Sequence, residues 1–276
     1  MVKRAPERED IDAISSAHTA HRRPAPTVLA LPFRDTWLVE NSPARRVPSH
    51  GTHLFASTYA IDFVAVEDGR ARSAVDRGTA TGDRTVSDAP DWRTAAVRDW
   101  RTAFATEPAD RFYAFGRPIL APVDGRVIAV HDGEIDHEAR RSQLTLAHYA
   151  LTQASRARLG AGGLAGNHVI LALSDVGPYV VLAHLRRGSI TVRPGEPVVT
   201  GQALGECGNS GNSTQPHVHV QVMDSPDPLS ARGVPMAFRD FRLWPHGALQ
   251  QRTVEQGLPG ERDVVAASAP TSPETW

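Results

Sequence analysis

The sequence predicts a mainly β protein, α+β overall, in which an antiparallel sheet core carries short helical insertions. Three observations predict it. Short runs rich in Val, Ile and Leu recur between Gly, Pro and Ser in the second half of the chain: Asn167-His-Val-Ile-Leu-Ala-Leu, Tyr179-Val-Val-Leu-Ala-His-Leu185, Pro197-Val-Val and His217-Val-His-Val-Gln-Val222. Short strands joined by short turns imply antiparallel pairing, because a parallel pair needs a crossover of about a dozen residues or more. Helix-like spacing is confined to two stretches, near 91–113 and 138–159.

Taken in order, residues 1–27 are charged and rich in Ala, His and Pro, a composition too poor in apolar side chains to build a core, and they read as a flexible N-terminal arm. A single domain is expected over 28–244. Thr27-Val-Leu-Ala-Leu-Pro-Phe33 and Trp37-Leu-Val39 suggest short extended segments, and Tyr59-Ala-Ile-Asp-Phe-Val-Ala-Val66 is a strong strand. Residues 67–115 read as an insertion in which Trp92, Val97, Trp100, Phe104, Phe112 and Tyr113 suit a short helix and a docking turn. Pro118-Ile-Leu-Ala-Pro-Val-Asp-Gly-Arg-Val-Ile-Ala-Val-His131 reads as a β-hairpin about an Asp-Gly turn. A second insertion spans 134–164, helix-like at Leu144, Leu146, Tyr149 and Leu151 and ended by the Gly-rich 160–166. Residues 224–244 keep Met236, Phe238, Phe241 and Trp244 and are expected to lie over the sheet, whereas 245–276 drifts to a polar C-terminal tail.

Composition narrows the function. Thirty basic and 31 acidic residues nearly cancel, so no global field recommends nucleic acid or an anionic membrane as partner. The one cysteine, Cys207, excludes an intramolecular disulfide and a cysteine-rich zinc cluster, leaving His, Asp and Glu as metal ligands. With no partner cysteine, Cys207 reads as a small buried residue. The first thirty residues hold no apolar run like that of a secretory signal, and no segment approaches the roughly 20 apolar residues a bilayer span needs. A cytoplasmic location is the expectation these two points give.

The sharpest local feature is His217-Val218-His219 on an expected strand, because period-two alternation sends both imidazoles to one face. Alone it is weak, since two polar residues also suit the solvated side of an amphipathic strand. Asp62, inside an apolar strand, and His184, in Val180-Val-Leu-Ala-His-Leu185, strengthen it: each pays a desolvation cost unless paired or bound to a cation. Imidazoles and a carboxylate gathered on one sheet supply what a catalytic zinc needs, three protein ligands and an open position.

These residues, with Ser49-His-Gly-Thr-His53, Gly166-Asn-His-Val-Ile, Ala183-His-Leu, Val192-Arg-Pro-Gly-Glu-Pro-Val-Val-Thr-Gly-Gln and Gly208-Asn-Ser-Gly-Asn-Ser-Thr-Gln-Pro-His-Val-His, resemble in order the blocks of the lysostaphin/LytM-type zinc metallopeptidases over roughly 45–224. The resemblance implies the duplicated hybrid motif fold, a bound Zn2+, and hydrolysis of peptide bonds in peptidoglycan cross-links or stem peptides. It implies Asp62 and His219 as metal ligands, with His184 and His217 as the catalytic pair. The chain departs from the family pattern in the first block, where His50 and His53 both precede Asp62 by a longer segment than usual. His50 is favoured as third ligand, since Gly51 lets the backbone bend toward the metal; His53 is the alternative.

Two other functions compete: a non-catalytic LytM-like binding or regulatory module, whose expected signature is loss of ligands, and a histidine phosphocarrier-like domain, which needs two facing histidines but no aspartate ligand. His168 is expected to point away from the site and pack at its rim, and His131, His137, His148 and His246 to be solvated. The Gly208–Pro216 loop lacks the Lys and helix start of a phosphate loop. Trp92 and Trp100 suit a sugar platform, though packing against the sheet is the commoner use of such residues. Oligomeric state has no signature in the sequence.

Overall fold

The computed structural model describes residues 25–68, 92–94, 106–139, 160–248 and 250–268. Sixteen strands lie among them: β1 (Thr27–Leu29), β2 (Thr36–Asn41), β3 (Ile61–Ala65), β4 (Glu67–Asp68), β5 (Trp92–Arg93), β6 (Pro118–Leu120), β7 (Gly125–His131), β8 (Asn167–Ala172), β9 (Tyr179–Leu185), β10 (Pro197–Val198), β11 (Ala203–Glu206), β12 (Val218–Met223), β13 (Gly233–Val234), β14 (Met236–Trp244), β15 (Arg252–Gly257) and β16 (Val264–Ala267). One short α-helix, α1 (Gly160–Ala165), precedes β8. The protein is mainly β, as the sequence predicts. Twelve strands form one sheet in the order β1-β14-β16-β2-β3-β12-β9-β8-β7-β10, with β13 on β12 and β15 on β14. All its pairs are antiparallel except β1 with β14, which makes the sheet mixed.

The central strands are apolar on both faces, so their sequences read as nearly continuous hydrophobic runs. On β9, Val180 and Leu182 belong to the main core while Val181 and Ala183 belong to a smaller cluster on the opposite face with Ile170, Met223 and Ala56. The main core continues into the strands outside the central four, where Phe33 stacks on Trp37 at 4.4 Å and meets Phe63 edge-on at 5.0 Å. Phe63 in turn meets Phe238 of β14 at 5.4 Å. The second, sparser face of β3, β12, β9 and β8 is the one that carries the functional groups.

Several expectations are corrected. The hairpin about Asp124-Gly125 does not form: β6 pairs with β11, and β7 pairs with β8 and β10. Asp124 instead accepts from the backbone N–H and the hydroxyl of Thr200, both at 2.7 Å, and a Cβ on Gly125 would stand 2.5 Å from Ala172 O, so this glycine serves a close strand approach. Residues 245–276 are not a tail throughout: β15 and β16 extend the sheet, and Val264, Val265 and Ala266 are buried against their neighbours. Burial of three consecutive residues between β2 and β14 outweighs a polar average composition. Residues 224–244 join the sheet as β13 and β14 rather than covering it.

Of the stretch near 91–113 where a helix is expected, residues 95–105 lie outside the described residues; Trp92–Arg93 pairs as a strand with Glu67–Asp68, and Trp92 packs edge-on against Trp244 at 5.6 Å. The expected helix near 138–159, Trp100, His148 and most of the N-terminal arm lie outside the described residues. The α-helix among the described residues falls in the Gly-rich stretch, where Leu164 O accepts the N–H of Asn212 at 2.9 Å. No helix among the described residues is long and apolar enough to cross a membrane.

Candidate metal centre and active site

Register brings the site together. His219 on β12 stands opposite Asp62 on β3 and opposite Ala183 on β9. Val218, Val220 and Val222 take the core face, so His217, His219 and Gln221 share the other, as the H-x-H spacing predicts. His184 reaches that face differently. Strict alternation after Ala183 would turn it toward the core, but β9 places two residues, Ala183 and His184, against the single His168 of β8. This bulge, with His184 at φ 62°, returns Leu185 to the main core and leaves His184 on the groove face. A non-glycine residue in the left-handed region is strained, and strain of this kind collects at functional sites.

Asp62 is 5% exposed and is the hub. Its Oδ2 accepts Asn41 Nδ2–H at 2.7 Å and lies 2.9 Å from His50 Nε2; its Oδ1 lies 2.9 Å from His219 Nδ1 and 3.7 Å from His217 Nε2. A second bulge, between β2 and β3, sets Asn41 beside Asp62. His53 is elsewhere: its ring is exposed and pairs with Thr58 Oγ1 at 3.1 Å. Of the two candidates for third ligand, His50 is the one next to Asp62.

The donor inventory tests whether a cation fits here. Ser49 Oγ has one proton and gives it to Ala60 O at 2.7 Å, so it accepts from His50 Nδ1–H at 3.0 Å and leaves a lone pair on Nε2, facing Asp62. Gln221 Nε2 donates to Phe55 O at 2.8 Å, so its Oε1 accepts from His219 Nε2–H at 2.9 Å and leaves a lone pair on Nδ1, again facing Asp62. Two ring lone pairs and a carboxylate converge on one point, with ligand atoms within 4.8 Å of one another. Such an arrangement repels itself unless a proton or a metal cation lies between. His50, Asp62 and His219 therefore fit a cation of the kind that takes nitrogen and oxygen ligands.

Without metal, extra protons fill the gap. Burial works against a charged Asp62, but the charges of His50 and His217 and the hydrogen bonds from His219 and His50 outweigh it and hold its pKa well below the usual carboxylate range. Burial likewise opposes a charged His50, yet the carboxylate of Asp62 prevails and its pKa is raised.

His184 and His217 are of the other kind. His184 Nδ1–H donates to Ser210 O at 2.9 Å; His217 Nδ1–H donates to Gln215 O at 2.8 Å, with Ser213 Oγ at 3.0 Å. Each is thereby fixed as the tautomer with a free lone pair on Nε2, and their rings lie 4.7 Å apart. Burial pushes both pKa values down, His184 the further because His217 and His219 add to the effect. Both are neutral bases near pH 7. The Ser210 carbonyl is held by interlocked glycines: a Cβ on Gly166 would stand 2.5 Å from Ser210 Oγ, and one on Gly211 would strike the Gly166 backbone.

These side chains line one groove of about 590 Å³, with Leu54, Phe55, Leu164, Asn212, Thr214 and Pro228 among its walls. His168 lines it too, which corrects the expectation that it points away: Nδ1–H donates to Gly166 O at 2.7 Å, and the ring stacks with that of His131 at 5.5 Å. His131 is thus half-buried rather than solvated, while His246 is exposed and Cys207 is buried as expected. Sequence reasoning missed Asn41, Ser49 and Gln221. Only Gln221 left a signal, since it continues the period-two face of His217 and His219.

No curated protein shows significant similarity to the chain. Among solved structures, the chain is similar to the catalytic domain of a mutant of the prophage-encoded M23 protein EnpA from Enterococcus faecalis (23% identity over 58% of this chain and 81% of that one, TM-score 0.30). It is similar also to the catalytic domain of the antimicrobial peptidase lysostaphin from Staphylococcus simulans (19%, 47% and 85%, TM-score 0.29). A zinc-containing peptidase from Vibrio cholerae is a third (18%, 53% and 29%, TM-score 0.28), of which the chain spans under a third. The family model described as peptidase family M23 matches residues 109–231, a stretch that contains His184, His217 and His219 but neither His50 nor Asp62. That stretch, somewhat under half of the chain, is thus similar to peptidase family M23, the family to which the lysostaphin/LytM-like sequence blocks point.

Proposed function

We propose that this protein is a zinc-dependent metalloendopeptidase that hydrolyses peptide bonds, with peptidoglycan cross-links or stem peptides as its substrate class. The observation that carries the reading is the convergence of three ligand atoms, from His50, Asp62 and His219, beside two neutral imidazoles whose remaining lone pairs face the same groove. Zinc held by the first three supplies a Lewis acid that polarises a carbonyl and acidifies water. The chain's own groups handle the protons. His217 Nε2, 3.7 Å from the Asp62 carboxylate that favours its charged form, accepts a proton from the attacking water. The C–N bond breaks and that proton passes to the leaving nitrogen. His184 holds the second acceptor next to it and orients the water.

The phosphocarrier and binding-module alternatives need no metal. Elemental analysis of the purified protein beside Asp62→Asn, His219→Ala, His50→Ala and His53→Ala separates them. The expectation is about one zinc per chain, retained in His53→Ala and lost in the other three, with peptide hydrolysis lost alongside. A wild type that takes up no zinc when supplied with it would remove the peptidase reading.

A further inference from the structure

We propose that Gln221 is a positioning residue that ties His219 to the turn forming one wall of the groove, so that metal and substrate binding favour each other. The inference rests on the peptidase reading for what the metal and substrate are; the tie itself rests on geometry. Gln221 is buried, and both ends of its amide are engaged. Its orientation is forced, because Phe55 O can only accept: the NH2 end faces Phe55 at 2.8 Å and the oxygen end faces His219 Nε2 at 2.9 Å. One side chain thus sets which nitrogen of His219 faces Asp62 and also anchors the backbone of residue 55.

That backbone needs an anchor. Phe55 (φ 57°, ψ 30°) and Ala56 (φ 59°, ψ 19°) are consecutive non-glycine residues in the left-handed region, a conformation that persists only where surrounding contacts over-determine it. Gly233 supports the turn from behind, since a Cβ there would stand 2.6 Å from Ala56 O. From the groove side the support is Gln221. The turn presents Leu54, 67% exposed, and Phe55 to the groove, the sort of apolar surface an uncharged peptide segment would press against. A cation on His219 Nδ1 fixes the ring, the ring fixes the amide, and the amide fixes the wall. By linkage, a ligand that presses the wall into the same conformation strengthens the metal site by the same factor.

Two substitutions split the two ends. Gln221→Glu keeps an acceptor for His219 Nε2–H but cannot donate to Phe55 O; Gln221→Leu loses both bonds. Zinc affinity by chelator competition, and hydrogen exchange over residues 52–60 with and without zinc, read the ends separately in the full chain, with circular dichroism confirming that each variant folds. Exchange there reports closure through Ala60 N–H, bonded to Ser57 O at 3.2 Å. Gln221→Leu is expected to weaken zinc binding roughly 10- to 100-fold, the usual range for an outer partner of a metal ligand, while Gln221→Glu stays near wild type. Both variants are expected to exchange faster over 52–60 and to lose the slowing that zinc produces in wild type. A Gln221→Leu protein with wild-type zinc affinity, or a Gln221→Glu protein that keeps zinc-induced slowing, would overturn the proposal. If wild type binds no zinc, the peptidase reading fails, and the metal-free exchange rates still decide the tie: equal rates in all three proteins sink it, faster rates in both variants uphold it.

Discussion

His184 and His217 stand on or beside the strands of the family-matched stretch, whereas His50 stands on a loop ahead of it, and the two regions hold their imidazoles by different means. The strand histidines donate to backbone carbonyls, those of Ser210 and Gln215, which no substitution can delete. The loop histidine is held by the Ser49 hydroxyl, and the carboxylate it faces is held by the Asn41 amide. One region is neutral and locked by main chain; the other is charged and locked by side chains. The difference teaches where single substitutions should tell, because a side-chain brace is removed by one mutation while a main-chain brace survives it.

The largest expected effect lies in the strand region. His184→Ala should lower kcat by about 10²- to 10⁴-fold, the range for loss of a positioned acid-base group. His184→Gly should lose as much activity yet be more stable than His184→Ala by roughly 1 kcal/mol, because only glycine takes φ 62° without strain. Turnover of a peptide substrate and urea unfolding measure the two halves; equal stability of the variants would mean that the bulge is unstrained.

A smaller effect sharpens the comparison directly. Ser49→Ala removes the acceptor that sets the His50 tautomer and should weaken zinc binding by roughly 10-fold or more. Ser213→Ala removes one of the two partners of His217 Nδ1, and Gln215 O keeps the ring in place, so turnover should stay close to wild type. Comparable losses in both variants would erase the distinction drawn between the regions.

The smallest effect is the pH dependence of the metal-free protein. His184 and His217 have folded pKa values below the ordinary 6.5, so beneath that pH the unfolded chain binds more protons than the folded one and stability falls as pH falls toward their folded values. His50, with its pKa raised, acts in the opposite sense: its contribution is full below 6.5 and is lost as pH rises through its folded value. With His168 also lowered by burial, three lowered groups against one raised should give a lower urea midpoint at about pH 5.5 than at about pH 7.5. A higher midpoint at the acid end would mean that the His50–Asp62 pair dominates.

Much of the site was legible because its signals are local or parity-based. H-x-H on a strand must put both rings on one face, and an aspartate within Ala-Ile-Asp-Phe-Val must be compensated, whatever the rest of the chain does. The hairpin and the tail misled because both readings assumed that neighbours in sequence pair. Asp124-Gly125 has the composition of a tight turn, yet the strands it joins find partners some 50 to 90 residues away, at Ala172 and at Glu206. Val264, Val265 and Ala266 are too few to mark a strand against a polar background until β2 and β14 stand on either side.

By itself, then, the sequence determined the class of fold, the shared face of His217 and His219, and the need of Asp62 for a partner, since each follows from strand periodicity or from the cost of burying a polar group; the family resemblance came from the order of its sequence blocks. Only the tertiary structure decided that His50 rather than His53 lies beside Asp62, that a bulge turns His184 into the groove, that Ser49 and Gln221 set which ring nitrogens carry protons, and that Asn41 braces the Asp62 carboxylate. Those choices depend on the meeting of segments such as 41–50, 62 and 219–221, and hydrogen-bond partners that distant in the chain leave no period for a sequence to show.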